Sequence, residues 1–214
     1  MELPKKRWDE IRIVSDPGDL EKIYRFRYKI YVEEMHRHQK YADHERKRIH
    51  DELDNHAINI AAFDGDEVVG VVRANVARRS SLGAYESFYD LAGVGPDHPD
   101  HTGTVTRLMI APQLRRSTLA VRLCIKCYTL GLENDVRWCF IDCNDHMIHF
   151  FQGLGFKPYM GKVMHEEYGH VTPMRLRLND EKHLEAVRSP FAANLKAWRS
   201  ALVPPERAVL AVGE

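Results

Sequence analysis

Thr104-Val105-Thr106-Arg107-Leu108-Met109-Ile110-Ala111-Pro112-Gln113-Leu114-Arg115-Arg116-Ser117-Thr118-Leu119-Ala120 opens the stretch that decides the fold. β-Branched and apolar residues dominate its first eight positions, a short run closed by Pro112, which predicts a buried strand. A basic turn, Gln113–Thr118, leads into a helix with Leu119, Leu123, Cys127 and Leu130 at helical spacing, predicted to end near Gly131. Trp138–Asp142 reads as the next strand. Asp145–Gln152 reads as a short helix, closed by Gly153-Leu154-Gly155-Phe156. The order is strand, basic turn, helix, strand, helix, Gly-Phe.

Working outward, Ile11–Val14 alternates like an edge strand ended by Ser15-Asp16-Pro17. Asp19–Tyr31 predicts a helix with Leu20, Ile23, Tyr24, Arg27 and Tyr31 along one stripe. Glu33–His50 has no strong period and is expected to be a partly helical, mobile lid. Asn55–Phe63 and Glu67–Val76 read as a hairpin turning at Asp64-Gly65-Asp66. Ala77–Gly103 is loop-rich, with a short helix near Tyr85–Leu91 and a break at Gly95-Pro96. Strands are expected over Lys157–Met164 and Val171–Leu178, then helices over Asp180–Val187 and Phe191–Leu202, the latter stopped by Pro204-Pro205. The tail Glu206–Glu214 either frays or packs on a partner.

At 214 residues the chain can close one core, and no Ser/Gly- or Pro-rich linker divides it. Lys plus Arg equals Asp plus Glu at 31 each, so no overall charge argues for nucleic acid. No apolar run reaches the roughly 20 residues that span a bilayer, and Met1–Lys6 precedes polar sequence, so an integral membrane role is not expected and a cytoplasmic one is.

Pro112-x-x-Arg115, Ala120, and Asn144 followed by Phe150 to Phe156 resemble the thioester-binding half of the GNAT superfamily of acyltransferases. The resemblance implies an α/β GNAT fold: a mixed, mostly antiparallel central sheet flanked by helices. It would occupy residues 1–180, with 181–214 a short C-terminal helical extension packed on the same domain. It also implies an acyl thioester donor, with no bound cofactor, held by Met109, Ile110, Arg115, Arg116, Ser117, Thr118, Leu119 and Ala120.

A sharper resemblance lies further towards the N-terminus. Arg27-Tyr28-x-x-Tyr31, Asp51-x-x-Asp54, Arg73 and Thr106-Arg107 follow the order of the acyl-homoserine-lactone synthases, and still more closely that of the N-acyl amino acid synthases. The match runs from Arg25 to about Pro190. Two departures separate the chain from the lactone makers: Arg37 stands where they carry an aromatic residue, and Thr104 where they carry an acid. Two others separate it from ordinary acetyltransferases. Arg116 and Thr118 replace the first two glycines of the diphosphate loop, whose backbone must approach the ligand closely, and Phe151 replaces the tyrosine that often protonates the leaving thiolate.

The implied chemistry is acyl transfer from a thioester to an amine. The amine must lose a proton, since it is mostly ammonium at neutral pH. The thioester oxygen needs donors, supplied by backbone N–H groups of Thr106–Ile110 with Thr106 adding a hydroxyl. Asp51 and Asp54 have two readings. In one they form an ionic cluster with Arg27, Arg73 and Arg107 that shapes the amine site, forks the substrate carboxylate and relays its proton; in the other they only cap a loop. The ordered match favours the cluster, in which Arg107→Ala would abolish turnover and leave the protein folded. Glu34 is a second base candidate or a surface charge. Arg115, Arg116, Arg122 and Lys126 suit the acidic surface of an acyl carrier protein, and an Arg pair at a helix start points to a phosphate.

Competing readings come from the thiols and imidazoles. Cys124-x-x-Cys127 with Cys139-x3-Cys143 has spacing that zinc could use, but the first pair lies within a helix, so buried free thiols and no metal are expected. His146-x-x-His149 has only Asp142 or Cys143 nearby as a third ligand. His36, His38, His44 and His50 decorate the predicted lid and would make activity pH-sensitive. Met109, Phe140, Met164 and Met174 either line an acyl pocket or belong to the core. The best-supported function is a long-chain N-acyltransferase using acyl carrier protein. Lactone synthesis, coenzyme A-dependent acetyl transfer and a silent carrier- or lipid-binding module are the alternatives.

Overall fold

The computed structural model describes residues 8–202, so Met1–Lys6, Pro204-Pro205 and the tail Glu206–Glu214 lie outside the described residues. Strand β1 (Glu10–Val14) is followed by Asp16, whose carboxylate accepts from the Asp19 N–H at 3.0 Å and so caps helix α1 (Pro17–Tyr28). The chain continues as a π-helical turn, Lys29–Glu34. The segment expected to be a partly helical lid then forms a two-residue-a-side hairpin, β2 (Ala42–Asp43) with β3 (Arg48–Ile49), anchored by fully buried Ile49. A 3-10 helix over Glu52–His56 takes the first residues read as strand, so β4 is Ile58–Asp64. It turns at Gly65-Asp66 into β5 (Glu67–Val76).

Helix α2 (Ala84–Phe88) and a 3-10 segment over Leu91–Asp97 lead to β6 (Thr102–Ile110). Helix α3 (Leu119–Glu133) runs through Gly131 instead of ending there. A Cβ at Gly131 would lie 2.6 Å from Leu178 Cδ2, so this glycine admits a close neighbour and does not stop the helix. β7 (Trp138–Cys143) is followed by α4 (Ile148–Leu154), which does end on a glycine: Gly155 has φ +108. β8 (Lys157–Pro158), β9 (Val163–His165) and β10 (Gly169–Arg177) replace the two strands expected there, and α5 (Glu181–Ala186) and α6 (Phe191–Leu202) follow.

The sheet runs β1-β4-β5-β6-β7-β10-β8, with β9 added to β10. This mixed, mostly antiparallel sheet flanked by helices is the architecture that the sequence resemblance implies. Among the described residues its one parallel pairing is β6 with β7. That ladder holds only at Thr102–Trp138, Gly103–Cys139 and Thr104–Phe140, after which the two strands part.

Residues opposite one another in a sheet share a face. The space beside Gly70 is filled by Leu119 and Leu123 of α3, which assigns Gly70, Val72 and Ala74 to the α3 face. Arg73 and Asn75 therefore face the other way, with their partners Thr106 and Thr104, and with Phe140 opposite Thr104. Two large apolar clusters hold the layers together. One joins α1 and α3 to β4, β5 and β6. The other joins α3, β7, β10, Leu184 of α5 and Phe191 of α6.

Candidate active site

The face opposite α3 carries a buried ionic network. Arg27 donates to both carboxylate oxygens of Asp54 at 2.8 Å and to Asn59 Oδ1 at 2.7 Å. Arg73 donates to Thr106 Oγ1 at 3.0 Å and to Asp51, and pairs with Asp54 at 3.2 Å. Arg107 reaches Asp51 and Gln39 at 2.9 Å, the Tyr168 hydroxyl at 2.6 Å and Glu167 at 3.4 Å. The aspartates cap the loop and also join the ionic cluster. They form a capping box, Asp51 accepting from the Leu53 N–H and Asp54 from the Asp51 N–H, while their remaining lone pairs meet the arginines. The aspartates meet the arginines from within the protein, Arg27 Nε and Arg73 Nη2 are buried without a hydrogen-bond partner, and Arg27 and Arg73 have no exposed surface.

A β-bulge sets Arg107. Between the Arg73–Thr106 and Val71–Met109 pairs β5 contributes one residue and β6 two, and Arg107 takes left-handed φ of +58. Only the surrounding network holds a bulky residue in that conformation.

Burial by itself would raise the Asp51 pKa, but the guanidiniums of Arg73 and Arg107 outweigh it and hold the carboxyl at about 2. Asp54, beside Arg27 and Arg73, is likewise held down against burial. A depressed carboxylate stabilises the fold above its unfolded pKa and loses that contribution as pH falls through its folded one. Relative to the ordinary value of 3.8, Asp51 contributes about 2 kcal/mol at about 1.4 kcal/mol per unit. Urea titrations between about pH 5 and pH 2 are expected to show this loss, and Asp51→Asn to flatten it; equal slopes would remove Asp51 from the network.

Where β6 and β7 part, a cavity of about 780 Å³ passes through the sheet. On the α3 face it is lined by Cys124, Tyr128, Cys139 and Ile141, and on the opposite face by Thr104, Thr106, Arg107, Asp142 and Tyr168. Arg115, Arg116 and Ser117 line it as well, with Met109, Ile110 and Ala120. Thr118 and Leu119 are not among its lining residues, and Leu119 is wholly in the core. Inside this gap the residues of β6 have lost their β7 partners, which leaves strand N–H groups available to a thioester oxygen.

A second recess, of about 880 Å³, opens on the face opposite α3 among Tyr41, Asp51, Phe88, Met164, His165, Glu166 and Glu167. Tyr85 and Arg107 line both spaces. Met164, an acyl-pocket or core candidate, is exposed here, whereas Phe140 and Met174 are core and Met109 lines the cavity.

Glu34 stands apart from the network, paired with Arg115 at 2.5 Å. All four cysteines are buried free thiols; burial pushes Cys127 and Cys143 up to about 12. Among the described residues no three His, Cys, Asp or Glu side chains gather as a metal site. Of the lid histidines, His44 Nδ1 lies 2.9 Å from Tyr28 Oη and His50 meets the Tyr24 ring edge-on.

The sequence reading missed Gln39, Tyr168 and Glu167 on Arg107, and missed a group on β7. Asp142, considered there only as a metal ligand, accepts a hydrogen bond from the buried Tyr89 hydroxyl. Tyr85 stacks on Tyr89 and its hydroxyl lies 3.3 Å from His165 Nε2.

Residues 22–177 match the family model described as N-acyl amino acid synthase FeeM. The chain belongs to this acyltransferase family. The matched span of the FeeM family begins within α1 and ends with β10, so it contains the whole ionic network and the gap. Solved structures share the fold. The N-acyl amino acid synthase FeeM from uncultured soil microbes has a TM-score of 0.65 at 15% identity, over 86% of this chain and 97% of its own. BjaI, a CoA-dependent acyl-homoserine lactone synthase solved with SAM and isopentyl-CoA, has a TM-score of 0.66 at 18% identity, over 87% and 98%. MesI, also a CoA-dependent acyl-homoserine lactone synthase, has a TM-score of 0.64 at 22% identity, over 84% and 95%. No match is found among curated proteins. No helix among the described residues is long and apolar enough to cross a membrane.

Proposed function

We propose that this FeeM-family acyltransferase moves a medium- or long-chain acyl group from an acyl carrier protein thioester to the amine of an amino acid or similar small amine, in the cytoplasm. The observation that carries this reading is the gap itself: an apolar cavity that begins beside Arg115–Ser117, passes between β6 and β7, and meets the ionic face. An acyl chain buried there stabilises the complex by about 0.8 kcal/mol per methylene. The donor enters from the α3 side along Met109–Ile110, Arg115–Ser117 and Ala120. The amine comes from the second recess, and the network of Arg27, Asp51, Asp54, Arg73, Thr106 and Arg107 holds the bulged strand against which the two meet. Residues 1–180 form the acyltransferase unit and 181–214 its extension.

Two features favour carrier protein over coenzyme A. The loop before α3 lacks the glycines a diphosphate needs, and Arg115, Arg116, Arg122 and Lys126 stand exposed around it. Arg116→Glu is expected to weaken carrier binding about tenfold at low salt and less at high salt, measured by titrating loaded carrier at two ionic strengths; equal affinities would remove this dock. Coenzyme A is the second reading, supported by the CoA-dependent synthases BjaI and MesI that share the fold.

Product mass spectrometry tests the function. Purified protein is given carrier proteins loaded with medium and long chains, an amino acid pool and S-adenosylmethionine, with parallel reactions on acyl-CoA. An acylated amino acid made from the carrier is the expected product, whereas a lactone would assign the chain to lactone synthesis. Product from acyl-CoA alone would change the donor. Bound carrier without product would leave a binding module.

A further inference from the structure

Thr104 and Phe140 form the last pair of the parallel ladder, and Thr106 and Asp142 each lie two residues beyond it. Alternation keeps both on the face opposite α3. They therefore stand on the two sides of the gap, one on each parted strand, and both line the cavity. Each is fixed from behind: Thr106 Oγ1 by Arg73 at 3.0 Å, and the Asp142 carboxylate by the Tyr89 hydroxyl. Tyr89 is fully buried, its backbone carbonyl accepts from Tyr159 Oη at 2.6 Å, and its ring is stacked by Tyr85. Of the other carboxylates on this face, Asp51 and Asp54 are tied to arginines, Glu167 contacts Arg107, and exposed Glu166 pairs with Lys40.

We propose that Asp142 is the general base of the acyl transfer, with Tyr89 its positioning residue. The assignment rests on the proposed transfer to an amine. The amine enters the gap uncharged from the Tyr85 and Arg107 side, and its lone pair attacks the thioester carbonyl carbon as the C=O pair moves onto oxygen. Asp142 takes one proton from the resulting cationic nitrogen. When the oxyanion re-forms C=O, the C–S bond breaks and its pair stays on sulfur. The Asp142 carboxylic acid then passes its proton to that sulfur. An amide and a thiol leave, and Asp142 is again a carboxylate. One group thus serves both steps, which accounts for a phenylalanine, Phe151, where related enzymes carry a hydroxyl acid.

The surroundings suit a base. Burial raises the Asp142 pKa, while the Tyr89 hydrogen bond and the nearby His165 and Arg107 act against that rise. Burial lowers the His165 pKa and so favours the neutral ring. Tyr85, Tyr159 and Cys143 also lie close enough for their own titration to be affected by Asp142, and burial holds all three protonated. A base poised above the ordinary carboxylate range accepts a proton more readily near neutrality. Its activity is lost as pH falls through that raised value.

The test is the rate of amide formation between about pH 5 and 9 for wild type, Asp142→Asn, Asp142→Glu and Tyr89→Phe, with donor affinity and thermal melting measured alongside. With rates expressed per uncharged amine, so that the amine's own ionisation is divided out, Asp142→Asn is expected to lose about 10²- to 10⁴-fold in rate, to bind the acyl donor normally, and to lose the remaining acidic limb of the profile. Asp142→Glu should keep that limb at a reduced rate. Tyr89→Phe removes a hydrogen bond to the charged form and should move the limb to higher pH, a readout that a purely structural tyrosine would leave in place. Asp142→Asn within about threefold of wild type, or a limb unmoved by Tyr89→Phe, overturns the assignment even if one variant fails to fold. Wild type that forms no amide sinks the transfer reading, and this assignment with it. Wild type that forms amide beside an indifferent Asp142→Asn sinks this assignment alone.

Discussion

Arg107→Ala is expected to abolish turnover and also to destabilise the fold by about 3–5 kcal/mol. The sequence led us to expect loss of activity alone. The geometry adds the second effect, because Arg107 is 6% exposed and its fork joins Gln39, Asp51, Tyr168 and Glu167. Removing the cation leaves two carboxylates close together without it, and a buried ion pair broken on one side costs far more than the pair contributes intact. The left-handed backbone supplies a control. Alanine at a φ of +58 keeps the steric cost that arginine bears there, whereas Arg107→Gly relieves it and should be about 1 kcal/mol more stable than Arg107→Ala while equally inactive. Denaturant unfolding of the two variants measures the difference. Wild-type stability in Arg107→Ala would mean that the network is not under load.

The second large effect is on chain length. Cys124 lies on α3, buried, against the deep part of the cavity near Cys139 and Ile141. In Cys124→Phe the ring would occupy room for about three or four methylenes, each worth about 0.8 kcal/mol. The longest donors should lose about 100-fold in kcat/KM and short ones little. A series of acyl donors differing by two carbons reads the profile, and melting checks the overpacking cost of about 1–3 kcal/mol. A profile identical to wild type would put the chain elsewhere.

Most of the scaffold is legible in the sequence where the signal is local. β5 begins and ends where the alternation says, because a two-residue turn and a run of valines leave no other register. α6 fills the expected Phe191–Leu202 within the described residues. Gly131 was misleading because a helical glycine required by Leu178 looks the same in sequence as one that ends a helix. The π-helical turn after Tyr28 and the bulge at Arg107 have no residue signature, since both are irregularities of pairing. In the site, the aspartates and arginines were found through their order along the chain. Gln39, Tyr168 and Glu167 escaped because they meet Arg107 from 60 or more residues away in sequence. Asp142 escaped in the same manner, as its partner Tyr89 lies 53 residues upstream.

The parting of β6 from β7 also divides responsibility within the gene. Side chains on α3, β7 and α6 shape one end of the passage, whereas the Lys40–Tyr41 and Ser80–Phe88 segments and β9 shape the recess on the other, with Tyr85 and Arg107 as their common boundary. On the proposed function, preference for the acyl tail and preference for the amine are thus written in separate segments of the chain. Either can drift under selection without disturbing the other, and a small set of mutations can retune one while the second is inherited intact.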